Sequence, residues 1–501
     1  MSTASAVAVG MRLGRFGLLR YGAGAAAFGC LLGFFPAAVS RHSEMPKVHD
    51  PVVVAAGKGD FLSADRREEG RVLDANGGVY EDPQLQALVA QIVERLAASS
   101  DRPDLRYQVV ILNTPVVNAF SLPSGRLYVT RGLLALATDA SELAAVLSHE
   151  IGHVTARHTL VRDAAARQTP SDAFGSPQFG ALAFAGSGFA LVGFSHSQEL
   201  EADSIGARVS ARAGYDPFGA VRFLNAMSRN AQLRPSGQTG PSARYAGTPS
   251  AHPATADRSA ALQVNARQYA APGAGERDAA MLLANIDGLI YGDDPSDGVV
   301  RGRQFLHPRL GFAFSAPAGY SLYRSAHALL GVRGTGGEML CLDSVMVPAE
   351  QSLTDYLASG WMENLDPRSI VATSINGLAA ATASAEGGQW SFRTLVLRLD
   401  TGTVRLILAA KPGTGELDRV FADVTRTFHP MSASEAAAAK PLRLRIVAVQ
   451  PGDTPEKFAR RMAVERPLER FLVLNGLSAG QSLKVGDQVK IVTNDGHIGR
   501  R

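Results

Sequence analysis

One helix, bound to carry two histidines on the same face, constrains this chain more than any other feature. From Asp139 the sequence reads Asp-Ala-Ser-Glu-Leu-Ala-Ala-Val-Leu-Ser-His-Glu-Ile-Gly-His-Val. Asp139 followed three residues later by Glu142 is the pattern of a capping box, so a helix starts there. Leu143, Val146, Leu147, Ile151 and Val154 recur at helical spacing and form an apolar face that has to be buried. His149 and His153 are four apart, one turn of helix, and therefore lie on the same side. Burying such a helix brings imidazoles inside with it, and buried imidazoles need partners.

Two neutral imidazoles so placed can hold one Zn²⁺. Glu150 follows the first histidine directly. There it can take a proton from zinc-bound water and return it to a leaving amine. This is the metalloprotease use of His-Glu-x-x-His. A structural zinc site uses four protein ligands, whereas a hydrolytic one uses three and keeps a position for water. The search is therefore for a third ligand downstream. Cysteine cannot supply it, because only Cys30 and Cys341 occur in 501 residues, which also excludes a disulfide framework. Glu199 is the strongest candidate, on a helix expected to start at Ser197 and to close at Gly214 and Pro217. Asp203 shares its face, where it can accept from the free ring nitrogen of a ligand histidine and fix its tautomer. Glu201 is the alternative ligand, otherwise a solvated charge. His196 and His158 remain open, with His158 read as a surface residue because nine positions do not align it with His149.

The rest of the chain divides around this centre. At 501 residues about three domains are expected, and a net charge of +4 on 50 basic and 46 acidic residues does not mark a nucleic-acid binder. Arg12, Arg15 and Arg20 precede an uncharged stretch from Tyr21 to Ser40, ending in Ala38-Val39-Ser40. This reads as an export signal over 1–40, with an uncleaved anchor or lipidation at Cys30 as alternatives; in each case the bulk of the chain leaves the cytoplasm. Residues 41–75 look irregular. A metallopeptidase unit is expected over 76–290, with a helix from Asp82-Pro83, strands at Tyr107–Leu112 and Arg126–Thr130, a turn at Pro123-Ser124-Gly125, and a long Ser/Gly/Pro-rich loop at about 228–275. Phe179 to Phe194 is apolar but shorter than a membrane span and reads as a buried helix near the active site, with membrane contact or a lid as alternatives. Residues 300–430 read as a strand-rich noncatalytic α+β domain with Cys341 as a small buried hydrophobe, 434–440 as a linker, and 442–493 as a last compact unit. The fold class is α+β.

The combination His149-Glu150-Ile151-Gly152-His153 with Glu199-Leu200-Glu201-Ala202-Asp203 resembles the signature of the CAAX prenyl protease/HtpX-type zinc metallopeptidases. Asn118 to Gly125 and Val129 to Leu133 resemble that family's segment ahead of the zinc helix. The likeness spans roughly 75–260 and, without long flanking apolar spans, is to the periplasmic branch. It implies a mainly helical gluzincin-type domain with a small sheet, endopeptidase activity and one Zn²⁺ per chain held by His149, His153 and Glu199, with Glu150 as general base. It also implies an edge strand near Asn118 and Phe120 where substrate pairs in extended form. His252-Pro253 and Arg258 resemble an element of periplasmic relatives: His252 would close the zinc site as a fourth ligand, or Arg258 would bind the substrate carbonyl. Residues 442–493, with Pro451-Gly452-Asp453-Thr454 and Asn475-Gly476-Leu477, resemble a LysM-like β-α-α-β module, which implies peptidoglycan as ligand.

Two functions follow as expectations. One is a zinc endopeptidase acting on unfolded or misassembled envelope proteins in the periplasm of a Gram-negative bacterium, with membrane contact through the N-terminus and no nucleic acid. The other is a wall-anchored, chaperone-like or binding protein with a latent peptidase site.

Overall fold

The computed structural model describes residues 61–160, 194–233, 252, 254–324, 328–334, 337–362, 364–387, 390–411 and 416–494. The expected export signal, residues 41–60 and residues 179–193 of the apolar stretch lie outside them. Among the described residues no helix is long and apolar enough to cross a membrane.

The architecture is α+β. Helix α1 covers Phe61–Ala75 and α2 covers Pro83–Ser99; the first corrects the irregular segment expected there. Asp82 caps α2, accepting from the Leu85 amide, and Pro83 takes the first helical position, where its missing N–H costs nothing. Strands β1 (Gln108–Leu112), β2 (Ala119–Ser121) and β3 (Arg126–Thr130) form a sheet in the order β1-β3-β2, with β1 parallel and β2 antiparallel to β3. Gly125, at φ 85°, makes the expected turn between β2 and β3, a conformation open mainly to glycine. That leaves β2 at the sheet edge.

Helices α3 (Arg131–Leu136) and α4 (Ala140–Thr155) follow. Asp139 caps α4 through the Glu142 amide, while the Glu142 carboxylate accepts from Thr138 N instead of closing the box on Asp139. Helix α5 spans His196–Arg212; its N-cap is Ser195, in a box with Gln198, and not Ser197 as expected. Helices α4 and α5 approach through glycine. A Cβ on Gly152 would lie 3.0 Å from the Ala202 carbonyl oxygen, and one on Gly206 would lie 3.0 Å from the His149 amide. Only residues without a side chain let the two backbones come this close, and the Ser148–Ser210 hydroxyl contact of 2.8 Å ties them.

Helix α6 (Gly219–Gln232) and helix α7 (Ala256–Tyr269) complete the frame of the site. Helix α7 corrects the long loop expected at 228–275. It buries only Arg258, Leu262 and Ala266, so it carries almost no apolar period to read. After α8 (Ala279–Ile286) comes the short strand β4 (Ile290–Tyr291).

The strand-rich unit holds two sheets. Strands β5 (Val299–Arg301), β6 (Gln304–His307) and β7 (Phe312–Ser315) form one with a short strand at His429–Pro430. Seven antiparallel strands between Tyr320 and Ala410 form the other, with Trp390–Leu399 and Gly402–Ala410 at its centre. Cys341 is buried in it. The linker expected at 434–440 is partly a helix, Ala433–Ala438, closed by a capping box between Ser432 and Glu435.

Residues 442–493 run strand Leu442–Ala448, helix Pro455–Ala459, helix Pro467–Leu474 and strand Gln488–Thr493, the expected β-α-α-β order. This unit is built into the first one. Its strand Leu442–Ala448 also pairs with β4, and Leu444, Phe458, Phe471 and Ile491 share one hydrophobic core with α2, α3 and α4. Lys490 is fully buried and donates to the carbonyls of Ala135, Leu136 and Ala137 at 2.7–3.0 Å. A cation on the last carbonyls of α3 meets the negative end of that helix. Burial pushes the Lys490 amine down, against the pull of Glu142 and Asp139.

Candidate metal centre

The close packing of α4 on α5 sets the site. His149, His153 and Glu199 meet there with His252, and one ligand atom from each lies within 4.8 Å of all the others. His149 Nε2 is 3.0 Å from His153 Nε2 and 3.1 Å from His252 Nδ1. Glu199 Oε1 is 2.8 Å from His252 Nδ1 and 3.6 Å from His153 Nε2. A tetrahedron built on Zn–N bonds has edges of about 3.3 Å, and the four atoms scatter around that value.

The outer nitrogens decide what the inner ones can be. His149 Nδ1 lies 2.8 Å from Asp203 Oδ1, so its proton belongs there and Nε2 presents a lone pair. His252 Nδ1 lies 2.8 Å from Glu199 Oε1 and its Nε2 lies 3.2 Å from Glu150 Oε1, so both ring nitrogens face carboxylates. His153 Nδ1 lies 3.1 Å from His158 Nδ1, and His158 Nε2 lies 3.2 Å from Glu201. With His158 donating to Glu201, His153 Nδ1–H donates to His158 and Nε2 is again a lone pair. The Nε2 lone pairs of His149 and His153 and a carboxylate oxygen of Glu199 thus converge with His252 Nδ1, a donor set that suits a divalent cation.

Charge leads to the same conclusion. Glu150, Glu199 and Asp203 are buried, and among the described residues the buried cation beside them is Arg258, which lies 2.8 Å from Asp203 through two nitrogens and 2.8 Å from Glu199 through the third. Carboxylates outnumber the guanidinium beside them, surroundings that favour a divalent cation. Burial alone would lower His149, but Asp203, Glu150 and Glu199 hold it above the ordinary imidazole range. Burial would raise Asp203, but Arg258 and His149 hold it down at about 2. His252 and Arg258 likewise outweigh burial at Glu199, which stays below the usual carboxylate range.

Glu150 points into the centre, only 1% exposed. Ser121, on β2, donates to its Oε2 at 3.0 Å. Asn118 and Ala119 line the cavity beside it. Phe120 does not: its ring stacks on Tyr128 at 5.0 Å inside a separate core cluster, because alternate strand residues face opposite sides. Arg258, read from the sequence as a candidate carbonyl binder, contacts the carboxylates of Asp203 and Glu199. Phe194, the described end of the apolar stretch, stacks on the His153 ring at 3.8 Å. His158 is buried, not a surface residue, and Glu201, though exposed, is its partner.

Residues 83–266 match the family described as Peptidase family M48. The relatives carry that description further. The chain is 31% identical over 175 residues to the mitochondrial metalloendopeptidase OMA1 of Schizosaccharomyces pombe, covering 34% of this chain and 50% of that one. It is 34% identical over 144 residues to the protein of the same name in Arabidopsis thaliana, covering 28% and 29%. It is 28% identical over 170 residues to the beta-barrel assembly-enhancing protease of Escherichia coli, covering 31% and 35%. The chain thus spans half the length of these relatives or less. Family and names agree with the ligand set on a zinc metallopeptidase centre.

Proposed function

We propose that this protein is a zinc-dependent endopeptidase of the bacterial envelope that cleaves unfolded or misassembled proteins. The observation that carries it is the convergence of His149, His153 and Glu199 with Glu150 alongside. Zn²⁺, when bound, supplies a Lewis acid that polarises a carbonyl and acidifies a water. Glu150 takes a proton from the attacking water and returns it to the leaving amine, and Ser121 fixes the carboxylate that does so. Asp203 and the pair His158–Glu201 orient the ligand rings. Edge strand β2 offers its backbone to an extended substrate.

His252 keeps this centre latent. A hydrolytic site leaves a position for water, which His252 Nδ1, close to the other donor atoms, would fill, and its Nε2 lies 3.2 Å from Glu150. Withdrawal of His252 frees both the ligand position and the base. The relatives named beta-barrel assembly-enhancing protease support an envelope location and envelope-protein substrates. The β-α-α-β unit resembles LysM modules, which supports contact with peptidoglycan.

The test is zinc analysis and digestion of a denatured protein by wild type, Glu150→Gln and His252→Ala. One zinc per chain is expected in the first two, cleavage by wild type and none by Glu150→Gln, and faster cleavage by His252→Ala. Zinc-loaded wild type and His252→Ala that both leave the denatured protein intact would remove the reading.

A further inference from the structure

Next to the converging ligands is a cavity that opens to solvent. Its walls are Leu133, Val146 on α4, Phe223, Leu224 and Met227 on α6, and Leu262 on α7. The charged groups lining it are those of the metal centre, and Asp203 and Arg258 are already bound to each other at 2.8 Å. We propose that this cavity is the specificity pocket of the peptidase site, taking an apolar side chain of leucine, methionine or phenylalanine size from the residue beside the scissile bond. The proposal rests on the peptidase reading above.

Three features argue for it. Val146 is four residues before Glu150, so the two lie one turn apart on the same face of α4; a side chain packed on Val146 brings its own backbone beside the base. Ala119 of the edge strand also lines the cavity. A peptide extended along β2 turns alternate side chains to one side, so one of them enters the cavity while its backbone stays paired. Finally, Leu133, Val146, Phe223, Leu224 and Leu262 offer no counter-charge to a side chain packed among them, so burying a Lys, Asp or Glu there is costly, whereas an apolar one leaves water. Met227 is half-buried at the wall, and its unbranched thioether adapts to side chains of different shape.

The test uses the full chain bearing His252→Ala, loaded with zinc, and amino-acid hydroxamates as probes that engage the metal. Calorimetry should show leucine and phenylalanine hydroxamates binding at least about tenfold tighter than those of glycine and aspartate, the discrimination a few methylenes give in an apolar pocket. Met227→Trp, or Val146→Phe if that protein does not fold, should erase the difference and leave glycine hydroxamate unchanged. Bonds cut in a denatured protein should be enriched for Leu, Met or Phe on one side. Equal affinity for all four probes overturns the pocket even in a protein that digests its substrate. A leucine preference in a protein that cleaves nothing supports the pocket and removes the peptidase reading.

Discussion

His149 and His307 are buried almost equally, at 8% and 7% exposed, yet their surroundings push them in opposite directions. His149 sits among Asp203, Glu150 and Glu199 and is held above the ordinary imidazole range. His307 packs against Phe305 and Phe312, with ring centroids 5.8 and 5.7 Å away. Burial, with Arg309 and Arg324 nearby, pushes it down to about 4. One site gathers carboxylates and imidazoles into a connected network; the other leaves a neutral ring beside aromatic neighbours. Burial of a histidine says little about its role, and the carboxylates around it say a great deal.

The comparison can be broken by experiment. The largest effect should come from Glu150→Gln, which removes the proton carrier: turnover of a denatured substrate should fall on the order of 10³-fold with zinc content unchanged. His307→Gln should leave turnover within about twofold; a large loss there would dissolve the contrast.

Acid should separate the two regions next. Between pH 6.5 and 4 unfolded His307 binds a proton that the folded form refuses. Stability therefore falls as pH drops through that window, by roughly 2–3 kcal/mol after allowance for solvent. Denaturant titrations of wild type and His307→Gln at pH 7 and pH 4.5 should show a larger loss with acid in wild type than in the variant.

Asp203→Asn should weaken zinc binding about 10–100-fold, read by competition with a chelating dye, while the fold persists. His158→Gln should weaken it less, about tenfold or under, since Glu201 behind it is exposed and screened. If His158→Gln cost as much as Asp203→Asn, the two ring supports would be equivalent, and exposure of the outer carboxylate would not matter.

Much of the centre was legible in the sequence because it depends on local spacing. His149, Glu150 and His153 follow from one helix, and Glu199 with Asp203 from another; caps and apolar period mark the first. His158 was misread for a physical reason. Helix α4 ends at Thr155 with Ala156 as its cap, and Arg157 adopts φ 60°. The chain turns there, so counting nine residues along a continuing helix places His158 wrongly. Gly152 and Gly206 were visible as residues, but their pairing across two helices was not. Ser121 on Glu150 joins a strand to a helix, and no spacing rule connects them. His252 was reachable only through resemblance, since no period links residue 252 to a helix that ends at 155. Helix α7 hid because its buried face begins with an arginine whose partners are carboxylates on α5.

The hydrogen bonds of Lys490 have a consequence in time. They reach back 353–355 residues to the carbonyls just ahead of the zinc helix. The candidate ligands His149, His153, Glu199 and His252 have all been translated by residue 252, and Arg258 soon after, yet contacts beneath that helix are supplied near residue 490. A nascent chain 440 residues long holds the whole cutting apparatus on an unfinished core, and contacts of such separation close late. The core beneath these residues is therefore completed only when the last strand of the chain is in place.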